Sequence, residues 1–426
     1  MNMKPSHELP FGVSLPEVSP ARSHAEQMAV DPRSAHRIEL GIPMRDGVEL
    51  AADVFLPAAA QRPAPAVVIG TPYDKSNPVG DTGQVWQEAG YVGVVYDVRG
   101  RGKSEGEWQP YEREPEDGYD VVEWVAAQDW CDGRVGLSGI SYLGGVVWRT
   151  LSASPPHLTA AISTAPEGRW QDECPWQHGC FWLYYEYWWS LVRRRIFDRS
   201  RDVAAMVETL PIRSVTEMLD PTGPGWAEVM DHDTLDELWE RRRWDGEYDY
   251  DVPTLHVGGW HDRDAPHGLF YHYEEMMAAS PARDRQWLIV GPWTHGGARF
   301  PEDEFCGVSY PDAGVDMDAV HVRFMDRFLK GEENGVDDEP RVRLYDPGRR
   351  SWRGMPSWSE GTELRDFFLA EAGALDDQAG ADGHDRYRYD PMNAPGLRFD
   401  VSELWVPGID LGELAGQDGV LTFTTP

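Results

Sequence analysis

Ser141 stands on a glycine-flanked bend, Gly139-Ile140-Ser141-Tyr142-Leu143-Gly144, between an apolar run and a helix-like run. A bend of this kind between strand and helix lifts one hydroxyl to the top of a sheet, where it can attack as a nucleophile. A serine hydroxyl is a weak nucleophile unless a base removes its proton and an acid holds that base in the right tautomer. The chain offers both further on. Residues 254–259 are strand-like and run into Trp260-His261-Asp262, and residues 286–291 are the next such run, followed by Pro292-Trp293-Thr294-His295. Ser141, Asp262 and His295 therefore occur in the order nucleophile, acid, base, each just beyond a strand. The chemistry open to such a set is acyl transfer.

Each member taken alone has a plainer reading. Bends with glycine are common, and here the second glycine falls three residues after Ser141 rather than two. Ser138 competes as nucleophile but lies within the strand. The chain has 13 histidines, and His256, His261, His267 and His272 crowd the same region as His295. His261 would be awkward as a base so close in sequence to its own acid partner. Order, strand-end placement and spacing favour Ser141, Asp262 and His295 as a set. An acyl-transfer site also requires preorganised donors for the oxyanion. The backbone N–H of Tyr142, directly after the nucleophile, is one by geometry. The second usually comes from the loop after an early strand, here Thr71-Pro72-Tyr73-Asp74-Lys75. That loop has no Gly-Gly pair to offer amides. It has the phenol of Tyr73, whose plainer reading is packing beside Pro72.

The elements that must hold these residues follow from the hydrophobic pattern. Residues 1–36 read as an irregular N-terminal arm. Strand-like runs cover 37–43, 48–56 and 65–70, with Met44-Arg45-Asp46-Gly47 as a hairpin turn between the first two. A helix-like stretch over 83–89 leads to the apolar run 91–96. Residues 116–128 are periodic and begin with acidic residues, as a helix N-terminus favours. A short strand over 134–137 enters the bend, a helix follows over 143–151, and 158–164 is strand-like again. Strands alternating with helices predict an α/β fold with a parallel sheet and right-handed crossovers.

The alternation stops at 167–248, which is aromatic, charged and mostly helical in pattern, and it resumes through 249–335. The core is thus expected over 37–166 and 249–335, with 167–248 as an inserted helical cap. From about residue 340 to 426 the texture changes to short alternating segments, 342–345, 366–369 and 419–424, which predict an all-β module. The small, acidic run 370–385 reads as a loop.

Composition sets outer limits. A chain of 426 residues is too long for one compact core. Its net charge of −34 argues against nucleic acid or an anionic membrane surface as partner. Four residues are Lys (Lys4, Lys75, Lys103 and Lys330), and the other basic residues are Arg, a pattern that fits either high-salt adaptation or a GC-rich genome. No stretch approaches the roughly 18 apolar residues of a membrane helix, and the polar, Pro-rich N-terminus lacks the apolar core of a secretory signal. The four cysteines, Cys131, Cys174, Cys180 and Cys306, have no zinc-ligand spacing and read as free thiols of a cytoplasmic protein. No metal or other cofactor is expected, and the histidines show no His-Glu-x-x-His pattern.

Five segments together resemble the CocE/NonD serine hydrolases, the family of cocaine esterase, X-Pro dipeptidyl-peptidases and α-amino-acid ester hydrolases. They are Pro72-Tyr73-Asp74-Lys75, Asp97-Val98-Arg99-Gly100-Arg101-Gly102-Lys103-Ser104-Glu105-Gly106, Gly139 to Gly144, Gly258-Gly259-Trp260-His261-Asp262 and Gly291-Pro292-Trp293-Thr294-His295, in family order over residues 37–345. The resemblance implies Ser141 as nucleophile, His295 as base and Asp262 as the acid that orients it. It also implies an oxyanion hole made by the Tyr73 hydroxyl and the Tyr142 amide. The segment from Asp97 to Gly106 reads as a framework loop without chemistry. The fold implied is an α/β-hydrolase core with a helical cap and a C-terminal jelly roll. A sandwich of about eight strands needs well over the span 341–426, so an incomplete jelly roll, with more chain beyond residue 426, is the expectation.

Substrate choice would reside in the cap. Trp176, Phe181, Trp182, Tyr184, Tyr185, Tyr187, Trp188 and Trp189 could wall an acyl or aromatic group, or could equally be helix core. Asp264, two residues past Asp262, and Glu173 or Glu186 are candidates to hold a substrate amine, although any of the 73 acidic residues is more often a solvated surface group. The expected partner is a small ester or amide or a short peptide, and a homo-oligomer is compatible with the sequence. The alternative is a non-catalytic binding protein on a hydrolase frame.

Overall fold

Residues 64–71, 92–97 and 286–291 are buried along their whole length, the signature of strands covered on both faces. They sit inside a mostly parallel sheet. The computed structural model describes residues 36–169, 173, 175–177, 179–182, 209–215, 225–242, 246–262, 266–305, 307–358, 363–388, 414–417 and 419–425. The chain divides into two compact units, Met1–Met355 and Pro356–Pro426.

In the first unit the described residues form one ten-stranded sheet. Its strands are β1 (His36–Pro43), β2 (Glu49–Leu56), β3 (Ala64–Thr71), β4 (Val92–Asp97), β5 (Cys131–Ile140), β6 (Leu158–Thr164), β7 (Thr254–Gly259), β8 (Gln286–Gly291), β9 (Val342–Asp346) and β10 (Ser351–Met355). Their spatial order is β1-β2-β4-β3-β5-β6-β7-β8-β9-β10. The β1–β2 hairpin is antiparallel and meets β4 antiparallel. From β4 through β3, β5, β6, β7, β8 and β9 every pairing is parallel. All these strands therefore end at one edge, where open α/β sheets carry their sites. The helices named below are α1 (Thr82–Glu88), α2 (Glu114–Ala126), α3 (Tyr142–Ser152), α4 (Gly225–Asp231), α5 (Glu237–Arg242), α6 (Pro266–Ala279) and α7 (Met317–Met325). Helix α3 is buried from Tyr142 through Leu151, so the sequence after the bend is core in every direction.

Two expectations from the sequence are revised. The strand expected over 342–345 does not open a separate β module: it pairs in parallel with β8 and then, through a hairpin, with β10. Its residues alternate in pattern because β9 and β10 lie at the margin of the sheet, where burial is partial. In the second unit, the strand expected over 366–369 is seen as Phe368–Ala370, and it pairs antiparallel with Ala374–Asp376 inside the run read as a loop. Of the strand expected over 419–424, Thr424 alone among the described residues bridges to Ala374. In the inserted segment the described residues give a two-residue hairpin, Trp176–Gln177 with Cys180–Phe181, and the short helices α4 and α5. Within the expected cap, Cys174, Tyr184, Tyr185, Glu186, Tyr187, Trp188 and Trp189 lie outside the described residues, as do Asp264 and Cys306 elsewhere.

Trp287 of β8 ties α7 to the sheet. It is buried, meets Phe324 edge-on at 5.6 Å and Phe328 at 5.4 Å, and Arg341 stacks over it at 3.9 Å. Truncating a buried tryptophan typically costs about 3–5 kcal/mol. Trp287→Ala should lower the urea-denaturation midpoint of the first unit accordingly; an unchanged midpoint would show that the aromatic cluster does not anchor α7.

Candidate active site

Strand β5 delivers Ser141 at its C-terminal end. The residue has φ 61° and ψ −129°, a conformation that non-glycine residues rarely adopt. Its N–H donates to Thr164 O at the end of β6 (3.0 Å), and its carbonyl accepts from Gly145 N in the first turn of α3 (2.9 Å). The chain turns so tightly that a Cβ on Gly139 would lie 2.3 Å from Leu143 O, which explains the glycine before the bend. Ser138, the competing serine, is buried inside β5, opposite Ile162.

The ends of β7 and β8 bring Asp262 and His295 together. Asp262 follows β7 and His295 follows β8, and both are buried, 6% and 5% exposed. His295 Nδ1 lies 3.0 Å and 3.1 Å from the two Asp262 carboxylate oxygens. The two loops are pinned to each other by Trp260 N donating to Gly291 O and His261 N to Trp293 O, both at 2.9 Å. Trp293 is in turn fixed by its indole N–H donating to Ala313 O (3.0 Å).

The neighbouring histidines have other tasks. His256 is buried in β7 with Nε2 3.0 Å from Gln286 Oε1, and burial pushes it down to about 4, so its ring is neutral. His272 stacks on Trp148 at 4.2 Å, meets Tyr248 Oη at 2.6 Å through Nδ1, and donates from Nε2 to Glu167 O at 2.9 Å. His261 packs beside Phe305 and Tyr310.

Tyr73 is buried at the end of β3, on the edge that carries Ser141. Its loop is tied down through Asp97, whose carboxylate accepts from Lys75 N (2.6 Å) and Lys103 N (3.0 Å). Tyr142 is fully buried. Its hydroxyl accepts from Trp108 Nε1 (3.2 Å) and Tyr111 N (3.3 Å) and donates to the Glu114 carboxylate, while Tyr111 stacks on its ring at 4.1 Å. The segment from Asp97 to Gly106, read from the sequence as a framework loop, thus holds the loop that bears Tyr73.

Three carboxyl groups surround this edge, of which the sequence marks Glu173 alone. Burial raises Glu114, Glu167 and Glu173 above the usual carboxylate range. Glu167 accepts from the Tyr111 hydroxyl at 2.8 Å and interacts electrostatically with His295. Glu173 accepts from Gly168 N at 3.0 Å and is pushed to about 8, mainly by burial, with the negative charges of Glu167 and Asp262 adding to the shift. Among 73 acidic residues, nothing in the local sequence singles out Glu114 or Glu167, because their burial arises from chain segments far apart.

A cavity of about 710 Å³ opens beside Glu173, with Trp176, Leu235, Tyr271, Arg169 and His267 among its walls. Trp176 is packed by Phe181 at 4.8 Å. Trp182 is half-buried, with its N–H donating to Pro175 O at 2.7 Å. Of the sequence candidates for substrate contact, the structure therefore puts Trp176 and Glu173 on one cavity, with Phe181 behind Trp176.

A predominantly parallel sheet with a strained serine after β5, and a buried Asp–His pair beyond β7 and β8, defines an α/β-hydrolase. Residues 46–297 match the family model for X-Pro dipeptidyl-peptidase (S15 family). The chain belongs to this family and is a serine hydrolase. It is 31% identical over 396 residues to a cocaine esterase from Rhodococcus sp. (strain MB1 Bresler), covering 83% of this chain and 67% of the relative. It is 25% identical over 404 residues to a protein of Mycobacterium bovis named as a serine esterase, covering 77% of this chain and 62% of that one. Among solved structures, an α-amino acid ester hydrolase superposes with a TM-score of 0.79 at 24% identity, over 96% of this chain and 76% of the other. The chain thus spans about two thirds of the length of the curated relatives it matches.

The state of Glu173 has a thermodynamic consequence. In the folded chain its carboxyl stays protonated to about pH 8, whereas unfolded it ionises around its ordinary value of 4.5. Folding therefore takes up a proton between these limits, and the contribution of Glu173 to stability declines as pH rises through them. Glu173→Gln cannot ionise and keeps a carbonyl for Gly168 N. Its melting temperature should pull ahead of the parent's between about pH 5 and pH 8 and hold a constant gap above. A gap independent of pH would mean that Glu173 is already charged in the folded protein.

Proposed function

We propose that the chain cleaves a carboxylic ester or amide through an acyl-enzyme on Ser141. His295 acts as base, Asp262 orients it, and the Tyr73 hydroxyl and Tyr142 N–H bind the oxyanion. The observation that carries this reading is the buried Asp262–His295 pair, at the same sheet edge as a serine held at φ 61°. With Nδ1 engaged by Asp262, Nε2 is the nitrogen that carries the proton in this scheme.

The steps follow from these roles. His295 Nε2 takes the Ser141 proton as Oγ bonds to the acyl carbon, and the carbonyl electron pair moves onto oxygen. Preorganised donors stabilise that charge without reorganisation, and losing one typically costs about 10²–10³ in kcat. Collapse breaks the bond to the leaving alcohol or amine, which receives the proton from His295. Water then repeats the sequence with His295 as base, releasing the acid and restoring the serine.

Substrates of this family are small molecules or peptides, and the cavity beside Glu173 is of ligand size. Its mixture of Trp176, Tyr271 and Leu235 with a buried carboxyl suits an acyl group that has an apolar body and a polar or amine substituent. Glu173 is the candidate anchor for that substituent, together with Asp264 two residues past the triad acid. We also read 37–166 and 249–355 as the catalytic core, 167–248 as its cap and the segment after residue 355 as part of a jelly roll.

Ser141→Ala should abolish labelling by a fluorophosphonate probe and reduce p-nitrophenyl acetate hydrolysis by about 10³-fold or more. Tyr73→Phe should reduce kcat by about 10²–10³ with labelling retained at a slower rate. A Ser141→Ala protein that still labels, or hydrolyses at the parent rate, would overturn Ser141 as the nucleophile, whereas a parent protein that forms no acyl-enzyme with any activated ester would favour a binding protein on this frame. A side-by-side screen of X-Pro-p-nitroanilide, α-amino esters and simple aromatic esters identifies which acyl group the pocket takes.

A further inference from the structure

We propose that Arg101 and Trp108 form a strut that sets the spacing between the two oxyanion donors, and so act as positioning residues for the transition state. The inference rests on the acyl-enzyme reading and assigns a role to two residues outside the triad and the oxyanion pair.

The strut begins at the peptide that carries Tyr73. Arg101 is 4% exposed, and its Nε donates to Pro72 O at 2.7 Å. That carbonyl belongs to the peptide unit whose N–H is Tyr73's own, and Tyr73 N donates to Thr71 Oγ1 at 3.1 Å. The Pro72–Tyr73 peptide is therefore fixed from both of its polar ends, which fixes the direction in which the Tyr73 side chain leaves the backbone. The guanidinium of Arg101 then lies over the indole of Trp108, 4.7 Å from the ring centroid. The same indole donates from Nε1 to the Tyr142 hydroxyl at 3.2 Å. A continuous chain of contacts thus runs from the backbone beside the phenol donor to the side chain of the amide donor.

The far end is equally constrained. The Tyr142 ring is held by Tyr111 and Glu114 as well as by Trp108. Tyr142 is the first residue of α3, so a fixed ring fixes the Ser141–Tyr142 peptide whose N–H faces the oxyanion. The near end is backed by Asp97, which joins the Tyr73 loop at Lys75 N to the Arg101 loop at Lys103 N. Gly102 makes that bond possible: its φ is +49°, and a Cβ there would lie 2.0 Å from Asp97 Oδ2.

The residue types suit the task. A guanidinium can donate in its plane to a carbonyl while its face stacks on an indole, and an ammonium cannot do both. Oxyanion donors are effective only when held to within about 0.5 Å of the productive geometry, so a loosened strut should weaken transition-state binding and leave ground-state binding largely intact.

The test uses the full chain, p-nitrophenyl acetate as substrate and phenylboronic acid as a tetrahedral-adduct inhibitor. Arg101→Lys and Trp108→Phe each break one link, and the second keeps an aromatic ring if the first does not fold. Each should lower kcat by about 10–100-fold with KM within about twofold, and weaken phenylboronic acid inhibition by a similar factor. In the Tyr73→Phe background the effect of Arg101→Lys should shrink, because the donor it positions is gone. Unchanged kcat in both variants, or full additivity with Tyr73→Phe, overturns the strut. Ser141→Ala run in parallel separates the two readings. Activity lost there but intact in both strut variants rejects the strut alone, whereas activity surviving in Ser141→Ala rejects the acyl-enzyme reading and the strut with it.

Discussion

The backbone of Ser141 is the constraint around which the site is organised. A non-glycine residue at φ 61° and ψ −129° costs on the order of 1–3 kcal/mol and persists only where its surroundings leave it no alternative. Those surroundings are specific. The Ser141 N–H is committed to Thr164 O on the neighbouring strand and its carbonyl to Gly145 N, so relaxing φ would break one bond or the other. On one side Gly139 lets the chain pass within contact of Leu143 O; on the other the Tyr142 side chain is anchored by Trp108, Tyr111 and Glu114. Helix α3, buried from Tyr142 to Leu151, supplies the compensating apolar burial, at about 25 cal/mol per Å² removed from water.

A second feature is the contrast between surface and interior electrostatics. The chain carries a formal net charge of −34, a property of its solvated face. Beneath the edge that carries Ser141, however, Glu114 and Glu167 are buried with Arg149, which stacks over Tyr111 at 4.0 Å and depresses both carboxyl groups electrostatically against the larger effect of burial. Arg149 also donates to Arg242 O at 2.8 Å, and Arg242 bonds to Glu112 and Glu228, so the buried cation is linked to the inserted segment. An uncompensated buried charge is costly, and this arrangement gives each group a partner. A low effective dielectric makes preorganised donors more effective in the proposed mechanism.

What the sequence reveals depends on how local the cause is. The glycine bend at Ser141, the buried strands and the order of Asp262 and His295 are products of neighbouring residues, and the sheet places them where the pattern predicts. The tasks of His256 and His272 were not legible, since each depends on a partner contributed by a distant segment: Gln286 for one, Tyr248 and Glu167 for the other. The same holds for Glu167, which reads as one acid among many until the fold brings Tyr111 to it. Residues 342–355 were misplaced because marginal strands and strands of a β module share an alternating pattern. Only the pairing with β8 distinguishes them.

The segment from Asp97 to Gly106 illustrates how such a dependence arises. Beyond the end of β4 it has no sheet to satisfy its backbone, and its buried residues Asp97, Val98 and Arg101 lie where unpaired polar groups are expensive. Turn bonds such as Gly100 N to Glu105 O and Arg101 N to Val98 O meet part of that requirement, and its side chains meet more of it and in doing so reach outward. Ser104 Oγ donates to Asp97 O at 2.6 Å and accepts from Ala51 N at 2.9 Å. Arg99 bonds to Asp117 of α2 and to Asp46 in the β1–β2 turn. Arg101 reaches Pro72 O and Trp108. One irregular segment is thereby bonded to the first hairpin, to α2 and to the loop carrying Tyr73. A segment bonded at so many points is well suited to hold a phenol in place, because movement of Tyr73 would have to break contacts that the segment needs for its own stability.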